Sequence, residues 1–190
     1  MIDPEDVLTF WLEECEPADW YKSDPKLDAT IRTRFGAAWD AARQDKLAHW
    51  AVTARGALAL LILTDQFSRN MFRGTAQAFA TDPLARSVVY GALSRGLDTQ
   101  IEGAGRQFFY LPLEHSESLQ DQSRAVRMIL TRMDAPETLL HARAHREVIR
   151  RFGRFPFRND ALGRRTSSAE QAFLDSGSYG AVVRDLQAEG

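Results

Sequence analysis

At 190 residues, with 44% hydrophobic and 26% charged side chains, the chain has the length and composition of one globular domain (residues 1–190) with an ordinary core. A net charge of −2 and a pI near 6.1 argue against a nucleic-acid partner, and the longest apolar run, Ala57 to Leu63, is far short of the ~20 residues that cross a bilayer, so no membrane partner is expected. The opening acids Asp3, Glu5 and Asp6 are the wrong charge for a secretory signal, and the lone Cys15 permits neither an internal disulfide nor a cysteine metal site; a cytoplasmic protein without metal or cofactor is expected.

Helix signals follow one another along the chain. Asp3-Pro4 opens a helix predicted over 4–14, and Asp24-Pro25 opens one over 25–45 whose Leu27, Ile31, Phe35 and Trp39 recur every four residues. A helix over 53–70 has no polar face between Ala57 and Leu63 and should be enclosed on all sides; it then carries Asp65, Gln66, Arg69 and Asn70. Asp82-Pro83 reads as a capping residue before a helix over 83–95, closed by Gly96. A helix over 104–115 contains Pro112, which should bend it.

Ser118 with Asp121 starts a helix over 119–133 with the stripe Leu119, Val126, Ile129 and Met133. Asp134-Ala135-Pro136 starts one over 136–152 with Leu140, Ala144, Val148 and Phe152 on one face. Ser167 and Glu170 form a capping box for a helix over 168–175, and a short helix follows Ser178. No segment alternates with period two. The fold class is therefore all-α, and the short connections favour an antiparallel stack of about seven to nine helices arranged as hairpins.

Charge is unevenly distributed. Met1 to Asp28 holds nine acids against two lysines, whereas Arg143 to Arg165 holds eight arginines against Glu147 and Asp160. A pattern F-x-R-x-x-F-R occurs twice, at Phe67 to Arg73 and at Phe152 to Arg158, each followed later by Gln-Ala-Phe. Interleaving arginine with phenylalanine holds cations at the margin of a core.

Three segments carry a resemblance. Asp65-Gln66-Phe67-Ser68-Arg69-Asn70, the run from Phe109 through Pro112, Glu114 and His115 to Glu117, and Arg151-Phe152-Gly153-Arg154-Phe155-Pro156 through Asn159 resemble signature blocks of a bacterial family known as domain of unknown function 924, over about Val7 to Leu174. The resemblance implies an all-helical fold similar to tetratricopeptide repeats and supplies no activity. A period of ~34 residues is not visible in the sequence itself. The family usually has histidine where this chain has Phe157, so no imidazole chemistry is expected at that position.

Two functional readings follow. In the first, Arg69, Arg73, Arg154 and Arg158, with Asp65, Asn70 and Asn159, line a common hollow that holds a small anionic ligand or an acidic peptide; the structural alternative pairs the arginines with Asp65, Glu114, Glu117 and Asp121. In the second, the protein is an enzyme acting on a small anionic metabolite, with His115 or His145 as general base, Glu114 or Glu117 as the orienting acid, and arginines clamping the anion. His115 equally suits a helix end, where a cation complements the dipole. His141 and His145 are four apart, but no third metal ligand is indicated and Arg143 and Arg146 crowd them. Motifs for serine hydrolases, phosphate-binding loops and cysteine nucleophiles are absent.

Overall fold

The computed structural model describes residues 2–189, and all regular secondary structure among them is helical. The chain packs as two compact units, Met1–Pro112 and Leu113–Gly190.

In the first unit, α1 (Pro4–Thr9) is closed by a capping box in which Asp3 and Asp6 each accept the other's backbone N–H, and the chain runs on through a π-type turn over Phe10–Glu14. In α2 (Pro25–Arg43), Asp24 accepts from the Lys26 N–H at 2.8 Å, and the four-residue stripe buries Ile31, Phe35 and Trp39. The central run begins as α3 (Ala54–Leu61), capped by Thr53 accepting from the Gly56 N–H. As the unbroken apolar stretch requires, every residue from Ala57 to Leu63 is at most 2% exposed. A π-type turn over Ile62–Gln66 widens the helix before it resumes as α4 (Phe67–Met71).

Next, α5 (Asp82–Ser94) departs from the expected capping. Asp82 is not the cap but the first helical residue, its carboxylate turned to Arg69, and the preceding Thr81 donates its hydroxyl to the Thr64 carbonyl. Both side chains are drawn away from the helix end by partners at the π-type turn and on α4.

The helix predicted over 104–115 is not continuous. Ala104–Phe109 forms 3-10 turns, Tyr110 leaves them, and a new short helix, α6 (Leu111–Glu114), has Pro112 in its first turn. A proline without an N–H loses nothing in a first turn but would lose a hydrogen bond in a helix interior, so the break replaces the predicted bend.

In the second unit, α7 (Leu119–Arg132) and α8 (Pro136–Phe152) form a hairpin joined by three residues. Val126 and Ile129 are buried as expected, but Leu119, at the first position of α7, is 47% exposed. Gly153 ends α8 in the left-handed region (φ 68°). After a 3-10 turn at Pro156–Arg158 come α9 (Ser168–Asp175), with the predicted Ser167–Glu170 capping box, and α10 (Ser178–Ala188). Ala144, Val148, Ile149, Phe155, Phe173 and Val182 form this unit's core beside α8.

Candidate functional site

The first arginine block begins in α4, where helical spacing sends Phe67 and Met71 into the core and Arg69 away from it, and ends with Arg73 in the turn beyond. Arg69 reaches both carboxylate oxygens of Asp82 at 3.1 Å, and the Asp65 carboxylate at 3.0 Å. It also donates to the Asp65 carbonyl at 2.9 Å. Burial disfavours the Arg69 cation, but Asp65 and then Asp82 outweigh it and push its pKa above the ordinary arginine value. Arg73 grips Asp28 with two bonds of 2.9 and 3.0 Å, and Asn70 donates to the same carboxylate at 2.8 Å while accepting from Gln66. Four of the predicted ligand residues are thus engaged within the protein, Arg69 and Asp65 in an ion-pair group with Asp82, and Arg73 and Asn70 in a second group on Asp28.

The second block lies beyond the end of α8. Arg154 holds both oxygens of Glu170, at 2.6 and 2.8 Å, and the Arg165 carbonyl at 2.9 Å. The Arg154 hydrogen bonds, helped by the Ser167 N–H, hold the Glu170 carboxyl far below its usual range. Arg158 is 7% exposed, its guanidinium 4.4 Å above the Phe155 ring. Asn159 donates to the Thr166 hydroxyl at 3.2 Å, and its buried side-chain oxygen has no hydrogen-bond partner. Glu117 accepts from the Phe155 N–H at 2.9 Å and is held by Arg164 at 2.7 and 3.0 Å; although burial opposes it, these donors lower its pKa.

A different group of side chains remains in the second unit. Glu114, the last residue of α6, is 1% exposed; one carboxylate oxygen, Oε2, is 3.5 Å from Nδ1 of His145, and the other, Oε1, is buried without any hydrogen-bond partner. Gln122 fastens the turn that carries Glu114 by donating to the carbonyls of Glu114 and Ser116. On α8, His145 Nδ1 also lies 3.0 Å from the His141 carbonyl one turn earlier. The His115 ring meets His145 edge-on at 5.9 Å, and Phe155 does so from another side at 5.7 Å.

Tyr179, at the start of α10, completes the group. Its ring lies 4.6 Å from that of His145, and its hydroxyl is 2.6 Å from His141 Nδ1. Burial, and secondarily the charge of Glu114, push the phenol pKa well above 10, so it stays protonated.

The imidazole chemistry follows from the acceptors around His145. Both neighbours of Nδ1 are oxygens that accept, a carboxylate and a carbonyl, so in the neutral ring the proton belongs on Nδ1 and the lone pair on Nε2. Sequence reasoning found Glu114 and His115 through their block and His145 through its spacing from His141. It missed Tyr179, 38 residues from His141, because a lone tyrosine beside a glycine-serine turn has no helical period or spacing to flag it. Among the described residues no cluster of three or more His, Cys, Asp or Glu is arranged to hold a metal, and no helix is long and apolar enough to cross a membrane.

Compared with known proteins, the family model described as a bacterial protein of unknown function (DUF924) matches residues 7–178. A solved structure of a protein of unknown function from Agrobacterium tumefaciens is similar over 91% of this chain and 97% of its own, with 40% sequence identity and a TM-score of 0.86. No curated protein matches the chain.

Proposed function

The chain belongs to the bacterial DUF924 family of proteins of unknown function, and from the geometry of its second unit we propose that it handles a small molecule at an acid–base site centred on His145 and Glu114. The observation that carries this reading is the setting of His145: Nδ1 is bounded by the Glu114 carboxylate at 3.5 Å and the His141 carbonyl at 3.0 Å, which leaves Nε2 as the base. Glu114 orients the ring and stabilises the imidazolium that forms when Nε2 takes a proton. His115, edge-on to His145, is the second imidazole of the site. Tyr179, kept protonated, is available as a hydrogen-bond donor or proton source.

The arginine clamp has less support than the base. Arg154 is engaged by Glu170 through both edges of the pair, and Arg158 is buried against Phe155. The reading as a tetratricopeptide-like binding module, with an anionic ligand or acidic peptide on Arg69, Arg73, Arg154 and Arg158, has less support for the same reason: Arg69, Arg73 and Arg154 each hold a carboxylate by two bonds.

Two measurements test the acid–base site. Nitrogen NMR of the histidine rings should find His145 as the Nδ1–H tautomer when neutral; the Nε2–H tautomer would remove the proposed base. Acylation by diethyl pyrocarbonate, with the exposed His49 as internal reference, should modify His145, and more slowly in Glu114→Gln. Equal rates in the two proteins would mean that the carboxylate does not activate the ring.

A further inference from the structure

Resting on that reading, the identity of the missing hydrogen-bond partner points to what the site binds. Glu114 Oε1 is out of contact with solvent and meets no donor, although a carboxylate in the interior needs one. The other oxygen already faces His145, and the turn behind Glu114 is fastened by Gln122 through backbone carbonyls, which leaves Oε1 without help from either side. Aromatic rings stand around the imidazole: Phe155 edge-on to His145, Phe157 tilted against Phe155 at 5.2 Å and itself 42% exposed, and Tyr179 beside both His145 and Phe157. An anion brought to Oε1 would meet a buried negative charge; an O–H or N–H group would meet an unused acceptor.

Because Oε1 is out of contact with solvent, such a ligand must displace part of its surroundings. The first turn of α10, which lays Tyr179 on the His145 ring, has a strained backbone. Two successive residues before and at its start, Gly177 (φ 104°) and Ser178 (φ 53°), lie in the left-handed region, which suits glycine and strains serine by about 1 kcal/mol. Tyr179 follows immediately, and its phenol–His141 bond is a contact that a competing donor or acceptor can replace. Further along, Val182, with Val183 and Leu186 beside it, fixes the helix to the core.

We propose that the site takes a small neutral or cationic molecule through an O–H or N–H group donated to Glu114 Oε1, and that the molecule enters by displacing Tyr179. The full-length protein, with its histidine rings and glutamate carboxyls isotopically labelled, should be titrated with ethylene glycol (hydroxyl arm) and ethanolamine (amine arm), with acetate and inorganic phosphate as anionic probes. A saturable shift of the Glu114 carboxyl and His145 ring signals by at least one donor probe and by neither anion is expected, and the His145 response should disappear in Glu114→Leu. In Tyr179→Ala, which removes the ring lying on His145, the apparent Kd for the responding probe should fall by about tenfold or more.

The proposal is overturned if the anions shift these signals and the donors do not, if no probe gives a saturable response in Tyr179→Ala, or if that variant binds no more tightly than the parent. Hydrogen exchange on the unmodified protein checks the entry route alone: amides of residues 179–183 should exchange faster than those in the middle of α8, and equal protection would refute a movable first turn. The His145 tautomer separates the two readings. If it is Nδ1–H while every probe fails, the ligand class falls and the acid–base site stands; if it is Nε2–H, the site itself falls.

Discussion

The two copies of F-x-R-x-x-F-R have the same spacing and opposite burial. In the copy that starts at Phe67, the first arginine is the enclosed one: the Arg69 side chain is 15% exposed and that of Arg73 is 44%. In the copy that starts at Phe152, the order inverts, with Arg154 32% exposed as a side chain and Arg158 only 7% exposed overall. The backbone explains the inversion. In the first copy Arg69 sits on a helix that ends at Met71 and Arg73 lies in the turn beyond it, whereas the second leaves α8 at the left-handed Gly153 and continues through an extended Phe155 and a 3-10 turn. A shared string is therefore not a shared motif. The first block is closed around its own acids; the second borders a group whose Glu114 oxygen has no partner.

Removing Arg69 should have the largest effect on this contrast. It would take from Asp65 (2% exposed) and Asp82 (9%) the guanidinium that bonds both, and loss of one member of a buried charge network costs about 3–5 kcal/mol. Urea unfolding of Arg69→Ala should show that loss. A change below about 1 kcal/mol, the worth of an exposed pair, would mean that the network is solvated and only decorative.

What the sequence made legible divides along the same line. Periodicity and caps located α2, α8 and α9 closely, because Asp24-Pro25, Pro136 and Ser167–Glu170 are local signals whose partners lie within a turn or two. The Asp65–Arg69 pair was legible for the same reason. Asp82 was misread as a cap because its preferred partner is 13 residues away, and the partners Asp28 and Glu170 were not foreseen because ion pairs across a fold leave no spacing in the chain. The break at Tyr110 was hidden by a proline that suits a bend and a helix start equally. At the candidate site, Glu114 and His145 could be named, but their meeting depended on the packing of α6, α8 and α10.

Two substitutions of intermediate size should act in opposite directions. Gly153→Ala has open space around the added methyl but must hold φ near 68°, which costs about 1 kcal/mol; it should destabilise the second block, where the first has no such backbone requirement. Glu114→Gln replaces a buried, half-satisfied carboxylate with a neutral group of the same shape and should raise stability by about 1 kcal/mol in the same urea assay. A stability gain at Glu114 beside a loss at Arg69 is the signature of a site as against a scaffold. If Glu114→Gln destabilises, the carboxylate is structural and the acid–base reading loses its main support.

Acid should affect the second unit through named carboxylates. Hydrogen bonds from Arg150, and then from Arg151, hold Glu147 at about 2 against an ordinary 4.5, and Glu170 and Glu117 are lowered by Arg154 and Arg164. Each takes up its proton at lower pH when folded than when unfolded, so the stabilisation is complete above about pH 4.5 and is lost as pH falls toward 2. Amide exchange around residues 117, 147 and 170, followed from pH 6 to 2.5, should accelerate relative to the unfolded chain as this window is crossed. No acceleration would mean that these pairs are too well solvated to contribute.

The smallest effect belongs to Arg73. Its guanidinium grips Asp28 with good geometry, but the side chain is 44% exposed, and Asn70 would keep one hydrogen bond on that carboxylate after the arginine is removed. An exposed pair of this kind contributes about 0.5 kcal/mol, and salt screens it within a Debye length of about 8 Å at physiological ionic strength. Arg73→Ala should therefore lower stability slightly at low salt and almost not at all in 1 M sodium chloride, whereas the loss in Arg69→Ala should persist at both. If Arg73→Ala matched Arg69→Ala in size and in salt independence, the two arginines would form one buried unit, and the graded burial that distinguishes the first block would have no energetic meaning.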